Sequence, residues 1–151
     1  MPDFGRRVGR MTNSRMTEQE FRDIVEVTAR QFNIFSVHVE IVDKLNGNIL
    51  AETNPLSHYI WLARTTLERY DYDYLLMIAR HELAHIAAAR TLRVMAITGH
   101  PSSERSHGPV WRETAFLMGV FKEELHPYSQ LRNAVARNLH MIPAVSNTTA
   151  P

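Results

Sequence analysis

The pentapeptide His81–Glu82–Leu83–Ala84–His85 places the tightest constraint on how this chain folds. It lies in a long apolar run, residues 74–89, which predicts a buried helix. On a helix, residues four apart share one face, so both imidazoles can reach one metal ion with Glu82 beside them. Polar side chains in an apolar helix are costly without partners, and a metal ion would supply one. We therefore predict a metal site here; the alternative is a coincidental match in a core helix.

The length and composition bound the protein class. A chain of 151 residues suits one domain with a single core. The chain has no cysteine, so disulfides and thiolate zinc sites are excluded, and any metal must be held by histidine and carboxylate. No apolar run reaches the roughly 18 residues that span a bilayer, and no signal-peptide pattern follows the N-terminal arginines. We expect a cytoplasmic protein with no membrane partner.

The N-terminus is rich in arginine. All 17 basic residues except Lys44 and Lys122 are arginine, and four of the arginines lie in the first 15 positions. Such an arm can contact DNA phosphates, and a solvated tail without function explains it equally well. The predicted organisation is a disordered basic arm at 1–15, one domain at 16–142 and a disordered tail at 143–151.

The first half of the domain predicts a helix and then strands. Thr17 and Glu20 match a capping box, which begins a helix that runs to about Gln31. β-branched and aromatic residues predict a strand at 34–42. The Asn46–Gly47 turn leads to a short strand at 48–52 that pairs back with it, and a third strand follows at 59–63.

The second half predicts helices. Asp71 or Asp73 caps the central helix, which extends to about Arg90 and is followed by a long loop. Further helices begin near Pro109, ending at about Gly119, and at Ser129, ending at about Leu139. The predicted fold class is α+β: a small antiparallel sheet of about three strands packs with the N-terminal helix and the HExxH helix, and more helices follow.

A catalytic zinc site usually has three protein ligands and one open position for water. The downstream candidates for the third ligand are His100, Glu104, His107 and Glu113. His107 directly precedes a predicted helix whose Trp111 can anchor in the core, which would fix it well in space. His100, which follows Gly99 in the loop, remains the alternative.

HExxH on a helix, followed after a loop by His107-Gly108-x-x-Trp111, resembles the SprT-like family of zinc metalloproteases, which includes Spartan. The resemblance covers roughly residues 17–120. It implies a zincin-like metalloprotease domain in which His81, His85 and His107 bind Zn²⁺ and Glu82 is the general base. It also implies a protein or peptide substrate, hydrolysed by zinc-activated water, with proteins crosslinked to DNA among the substrates.

Two other functions stay open from the residues alone. The first is a non-catalytic, zinc-stabilised module that binds nucleic acid, although such a site has no need of Glu82. The second is a zinc hydrolase acting on a non-protein amide, which would use the same water chemistry. For a peptidase, the strand at 59–63 would bind substrate through backbone hydrogen bonds if it lies at the sheet edge beside the HExxH helix; it is equally well a simple core or edge strand.

Overall fold

The computed structural model describes residues 15–97, 107–120 and 129–139, which form five helices and three strands. The predicted α+β class is confirmed. Most of the predicted basic arm, residues 98–106 of the predicted long loop and the predicted tail at 143–151 lie outside the described residues. In chain order the elements are α1 (Glu18–Gln31), β1 (His38–Val42), β2 (Ala51–Asn54), β3 (Tyr59–Ala63), α2 (Arg64–Arg69), α3 (Tyr72–Ile97), α4 (Pro109–Leu117) and α5 (Ser129–Asn138).

The sheet is mixed, so the predicted antiparallel sheet is wrong. The strand order is β1-β3-β2, with β3 in the centre. β3 runs antiparallel to β2, with Ala51 opposite Leu62, and parallel to β1, with His38 opposite Tyr59. β2 and β3 form the hairpin, and β1 pairs with the far side of β3. The predicted pairing of β1 with β2 is therefore also wrong.

Local turns explain the difference. The predicted turn at Asn46–Gly47 forms, with Gly47 at φ 62° and the Ile49 amide donating to the Asn46 carbonyl at 3.3 Å. This turn, however, does not join two neighbouring strands. It lies in the connection at 43–50 between β1 and β2, which lie on opposite sides of β3. The reversal that makes the hairpin comes after Asn54, whose side-chain oxygen accepts the amide of Leu56 at 3.1 Å.

α1 forms as predicted. The Thr17 hydroxyl accepts the Glu20 amide at 3.0 Å, and the Glu20 carboxylate accepts the Thr17 amide at 2.7 Å, which completes the capping box. Phe21, Val25 and Ala29 are buried on one face of the helix. β1 starts later than predicted because positive φ angles at 33 and 36 interrupt the extended run before it.

α3 is the centre of the core. It begins after Asp71, whose carboxylate accepts the Tyr74 amide at 3.0 Å, and it extends to Ile97, past the predicted end. It packs against α1, β2, α4 and α5, which explains why its sequence is apolar on nearly all sides. Its buried apolar residues are Leu75, Ile78, Ala79, Leu83, Ala84, Ile86, Ala87 and Ala88.

The remaining helices are short. α4 and α5 form close to their predicted bounds, and the short α2 was not predicted. α4 ends at Leu117; two residues later, Gly119 has a φ of 83°, which lets the Val120 amide reach back to the Ala115 carbonyl at 2.8 Å. Among the described residues, no helix is both long and apolar enough to cross a membrane.

Candidate metal centre

Three histidines meet at one point of the structure. His81 and His85 lie one turn apart on α3, and His107 lies directly before α4. The Nε2 atom of His107 is 3.2 Å from that of His81 and 3.1 Å from that of His85. The structure thus brings together the three residues predicted as ligands, and they lie close enough to hold a metal ion.

The other candidate ligands are not part of this cluster. His100 and Glu104 lie outside the described residues. Glu113 is fully buried on α4 and does not belong to the histidine group. Within the part of the chain that the structure describes, the metal-binding group is therefore the three histidines alone.

The backbone around His107 aims its ring at α3. His107 has φ 66°, a left-handed conformation that histidine adopts more readily than most residues. Gly108 follows as the N-cap of α4, where its carbonyl accepts the Arg112 amide at 2.9 Å, and Pro109 opens the helix. The ligand is thus placed by a sharp turn into a helix, which the His-Gly-Pro sequence favours.

Trp111 is the support of the site. It is only 4% exposed, as predicted for a core anchor. Its ring centroid lies 4.9 Å from that of His81, 5.3 Å from that of His85 and 4.4 Å from that of His107. One indole therefore packs against all three imidazoles, a contact that the sequence pattern did not reveal.

The donor set fits a metal ion. Burial, followed by the charges of His81 and His107, lowers the pKa of His85 to about 3, so this ring stays neutral. Neutral imidazole is the form that binds metals. Tetrahedral ligands at about 2.0–2.1 Å from zinc lie about 3.3 Å apart. The two Nε2 distances at His107 are close to that spacing.

Glu82 lies beside the histidines and is almost fully buried, with 6% exposure. One carboxylate oxygen, Oε1, accepts a hydrogen bond from the Thr53 hydroxyl, and the other, Oε2, is 4.0 Å from His81 Nε2. Burial raises the pKa of Glu82 to about 7; the Thr53 hydrogen bond lowers it, and the charge of Glu52 raises it further. The carboxyl group can therefore exchange a proton near neutral pH.

A cleft of about 630 Å³ opens onto these groups. One wall is β2, and the opposite side is α3. Because β3 is the central strand, residues 59–63 do not lie at the sheet edge, so of the two alternatives for this strand the substrate-binding one is excluded. The edge strand beside the HExxH helix is β2. The cleft residues that sequence analysis missed are Ile49, Ala51, Glu52, Thr53, Pro55, Ala88, Ala89 and Leu92.

The missed residues on β2 carried one usable signal. In a strand, alternate side chains face the same side, and residues 51–54 alternate between half-buried and exposed. Thr53 is one of the two that face α3. A correct placement of the strand would have pointed to it.

No protein-family model, no curated protein and no solved structure matches this chain.

Proposed function

We propose that this protein is a zinc-dependent metalloendopeptidase with a zincin-like domain of the SprT type. The observation that carries the proposal is the convergence of three imidazole Nε2 atoms with a buried carboxylate, Glu82, whose free oxygen is 4.0 Å from one of them. Three metal ligands next to a general base are the groups that hydrolysis by a metal-activated water requires.

Zinc is the metal that these residues favour. Three imidazoles and a spacing near that of a tetrahedral site suit Zn²⁺, and the chain has no thiolate to favour a softer metal. A structural zinc site is closed by four protein ligands. Among the described residues, three cluster here and a cleft opens onto them, which supports a catalytic site with room for water and substrate.

When bound, zinc would bring the pKa of a water molecule to about 7 and polarise the scissile carbonyl. Glu82 would take the proton from an attacking water as it adds to the carbonyl carbon. Glu82 would then pass this proton to the nitrogen as the C–N bond breaks, which leaves an amine and a carboxylic acid. The acid loses its own proton to solvent at neutral pH. An extended substrate would lie along the outer edge of β2, where backbone groups can pair with it.

The resemblance to SprT-like proteases extends the proposal to proteins held on DNA. The cluster of arginines in the first 15 residues supports contact with phosphates. DNA would then raise the rate by bringing protease and substrate together, so cleavage should be measured with and without duplex DNA and at two salt concentrations.

The test of mechanism is Glu82→Gln on an unstructured protein substrate. We expect about one zinc per chain in both proteins and a fall in kcat of about 10²- to 10⁴-fold in the variant. Glu26→Gln, an exposed residue on α1, is the matched control and should leave kcat unchanged. Undiminished cleavage by Glu82→Gln would overturn the mechanism.

The test of the metal site is elemental analysis of zinc per chain. His107→Ala should lose zinc, whereas His100→Ala should keep it, and His38→Ala serves as an exposed control on the sheet. Zinc retained by His107→Ala and lost by His100→Ala would move the third ligand to the loop. If the zinc-loaded chain hydrolyses small amides and no peptide, the alternative hydrolase function replaces the peptidase.

A further inference from the structure

We propose that Thr53 is a positioning residue that holds the carboxylate of Glu82 in the orientation the reaction needs. The inference rests on the proposed function, since it assigns a role to a neighbour of the general base. Its basis is a hydrogen bond from the Thr53 hydroxyl to Glu82 Oε1, which joins β2 to α3 across 29 positions of sequence.

The two oxygens of Glu82 have different surroundings. Oε1 is bound to Thr53, whereas Oε2 lies 4.0 Å from His81 Nε2. That same nitrogen of His81 is 3.2 Å from His107 Nε2, so it faces the centre of the histidine cluster. The terminal torsion of a glutamate is soft, and a carboxylate without an anchor rotates freely. Thr53 therefore fixes the orientation of the carboxylate, with one oxygen on the Thr53 hydroxyl and the other facing the site.

Thr53 can serve as an anchor because β2 is held at both ends. Before it, the Leu50 carbonyl accepts the Ala63 amide at 3.1 Å and the Thr66 hydroxyl at 2.9 Å. After it, the Asn54 side chain closes the turn into β3. A β-branched residue also has a stiff χ1, so the hydroxyl has little freedom of its own.

The burial of Glu82 makes its hydrogen bond with Thr53 energetically important. A carboxylate with 6% exposure has little water to replace a lost donor. A hydrogen bond to an ionised group is about twice as strong as a neutral one, and leaving the acceptor unsatisfied is costly. A purely structural role for Thr53 would lower stability and leave kcat of the folded protein unchanged. A positioning role lowers kcat itself.

The first experiment compares Thr53→Val, which keeps the shape but removes the donor, with Thr53→Ser, which keeps the donor. We expect Thr53→Val to retain zinc and KM and to lose kcat by about ten- to a hundred-fold. Thr53→Ser should lie within about three-fold of wild type. Thr65→Val, an exposed threonine on α2, is the matched control. A zinc-loaded Thr53→Val with wild-type kcat, or a Thr53→Ser as impaired as Thr53→Val, would overturn the role.

The second experiment does not depend on turnover. The urea midpoint of the full chain is measured for Thr53→Val in the wild-type background and in Glu82→Ala. We expect the downward shift to be at least about twice as large in wild type, because only there does the substitution strip a buried carboxylate of its donor. Equal shifts would overturn the contact. Coupled shifts in a chain that cleaves no peptide would overturn the proposed function and leave the contact standing.

Discussion

The candidate metal centre has two halves that the chain builds in different ways. The helical half consists of His81, Glu82 and His85. Their spacing alone places the two histidines on one face of α3 and Glu82 beside them. The second half consists of His107 and Thr53, which reach the site from a turn before α4 and from an edge strand. The first half is therefore set by local geometry, and the second by packing over long stretches of chain.

The two halves also differ in what they cost the protein without metal. The helical half buries a carboxyl and an imidazole whose pKa values are displaced in opposite directions, mainly by burial. The second half holds a ligand in a left-handed conformation on a turn supported by Trp111. One half stores unfavourable desolvation, and the other stores unfavourable backbone geometry.

The largest effect is expected from Trp111→Ala. Removing a buried aromatic should lower the free energy of unfolding by about 3–5 kcal/mol. Because Trp111 packs against all three rings, His107 should lose its place and zinc affinity should fall at least ten-fold, although α3 still presents two ligands. Urea unfolding and zinc titration measure both. Trp61→Ala, a half-buried tryptophan on β3, is the control; equal zinc loss in both variants would contradict this account.

A smaller effect should appear in the pH dependence of the metal-free protein. Burial raises the pKa of Glu82 to about 7, so the folded state favours the protonated carboxyl. Its contribution to stability is complete below about pH 4.5 and is lost as pH rises through 7. Glu82→Gln removes this loss. The free energy of unfolding of Glu82→Gln minus that of wild type should therefore rise by about 3 kcal/mol between pH 4.5 and pH 8.

The comparison with Glu82→Gln is needed because His85 acts in the opposite direction. Burial lowers its pKa to about 3, so its contribution is present above about pH 6.5 and is lost as pH falls toward 3. In wild type, the pH dependence of stability due to Glu82 and the one due to His85 therefore partly cancel. Chelator-treated proteins unfolded in urea across this range give the difference directly, and a difference independent of pH would show that Glu82 is not desolvated.

The smallest effect tests the backbone of the second half. At φ 66°, a residue with a Cβ is strained and glycine is not. Metal-free His107→Gly should therefore be more stable than His107→Ala by about 1 kcal/mol. At Thr65, on α2, the order should reverse, because alanine is favoured in a helix. The same order at both positions would contradict the left-handed turn.

The helical half could be predicted from sequence because its information is local. The spacing of His81 and His85 and the apolar residues around them specify a buried helix with one polar face. The His-Gly-Pro run and Trp111 pointed to His107, and the structure brings this residue to the other two. Which metal binds there, and whether it hydrolyses peptides, stays a prediction.

The sheet could be predicted only in part because strand order is not a local property. The bounds of β3 were correct, and the turn at Asn46–Gly47 does form. The residues near that turn, however, do not indicate that β1 pairs with β3 rather than with β2. The error in order hid the role of β2, and with it the contact between Thr53 and Glu82.

The distance in sequence between His85 and His107 bears on how the protein folds. Two ligands are in place as soon as α3 forms, whereas the third arrives only when α4 docks, which closes a loop of 22 positions. The complete three-ligand site would therefore form, and bind metal, only at a late step of folding, the docking of α4. Zinc should consequently slow unfolding far more than it speeds refolding, because its three-ligand site is absent until that docking is complete.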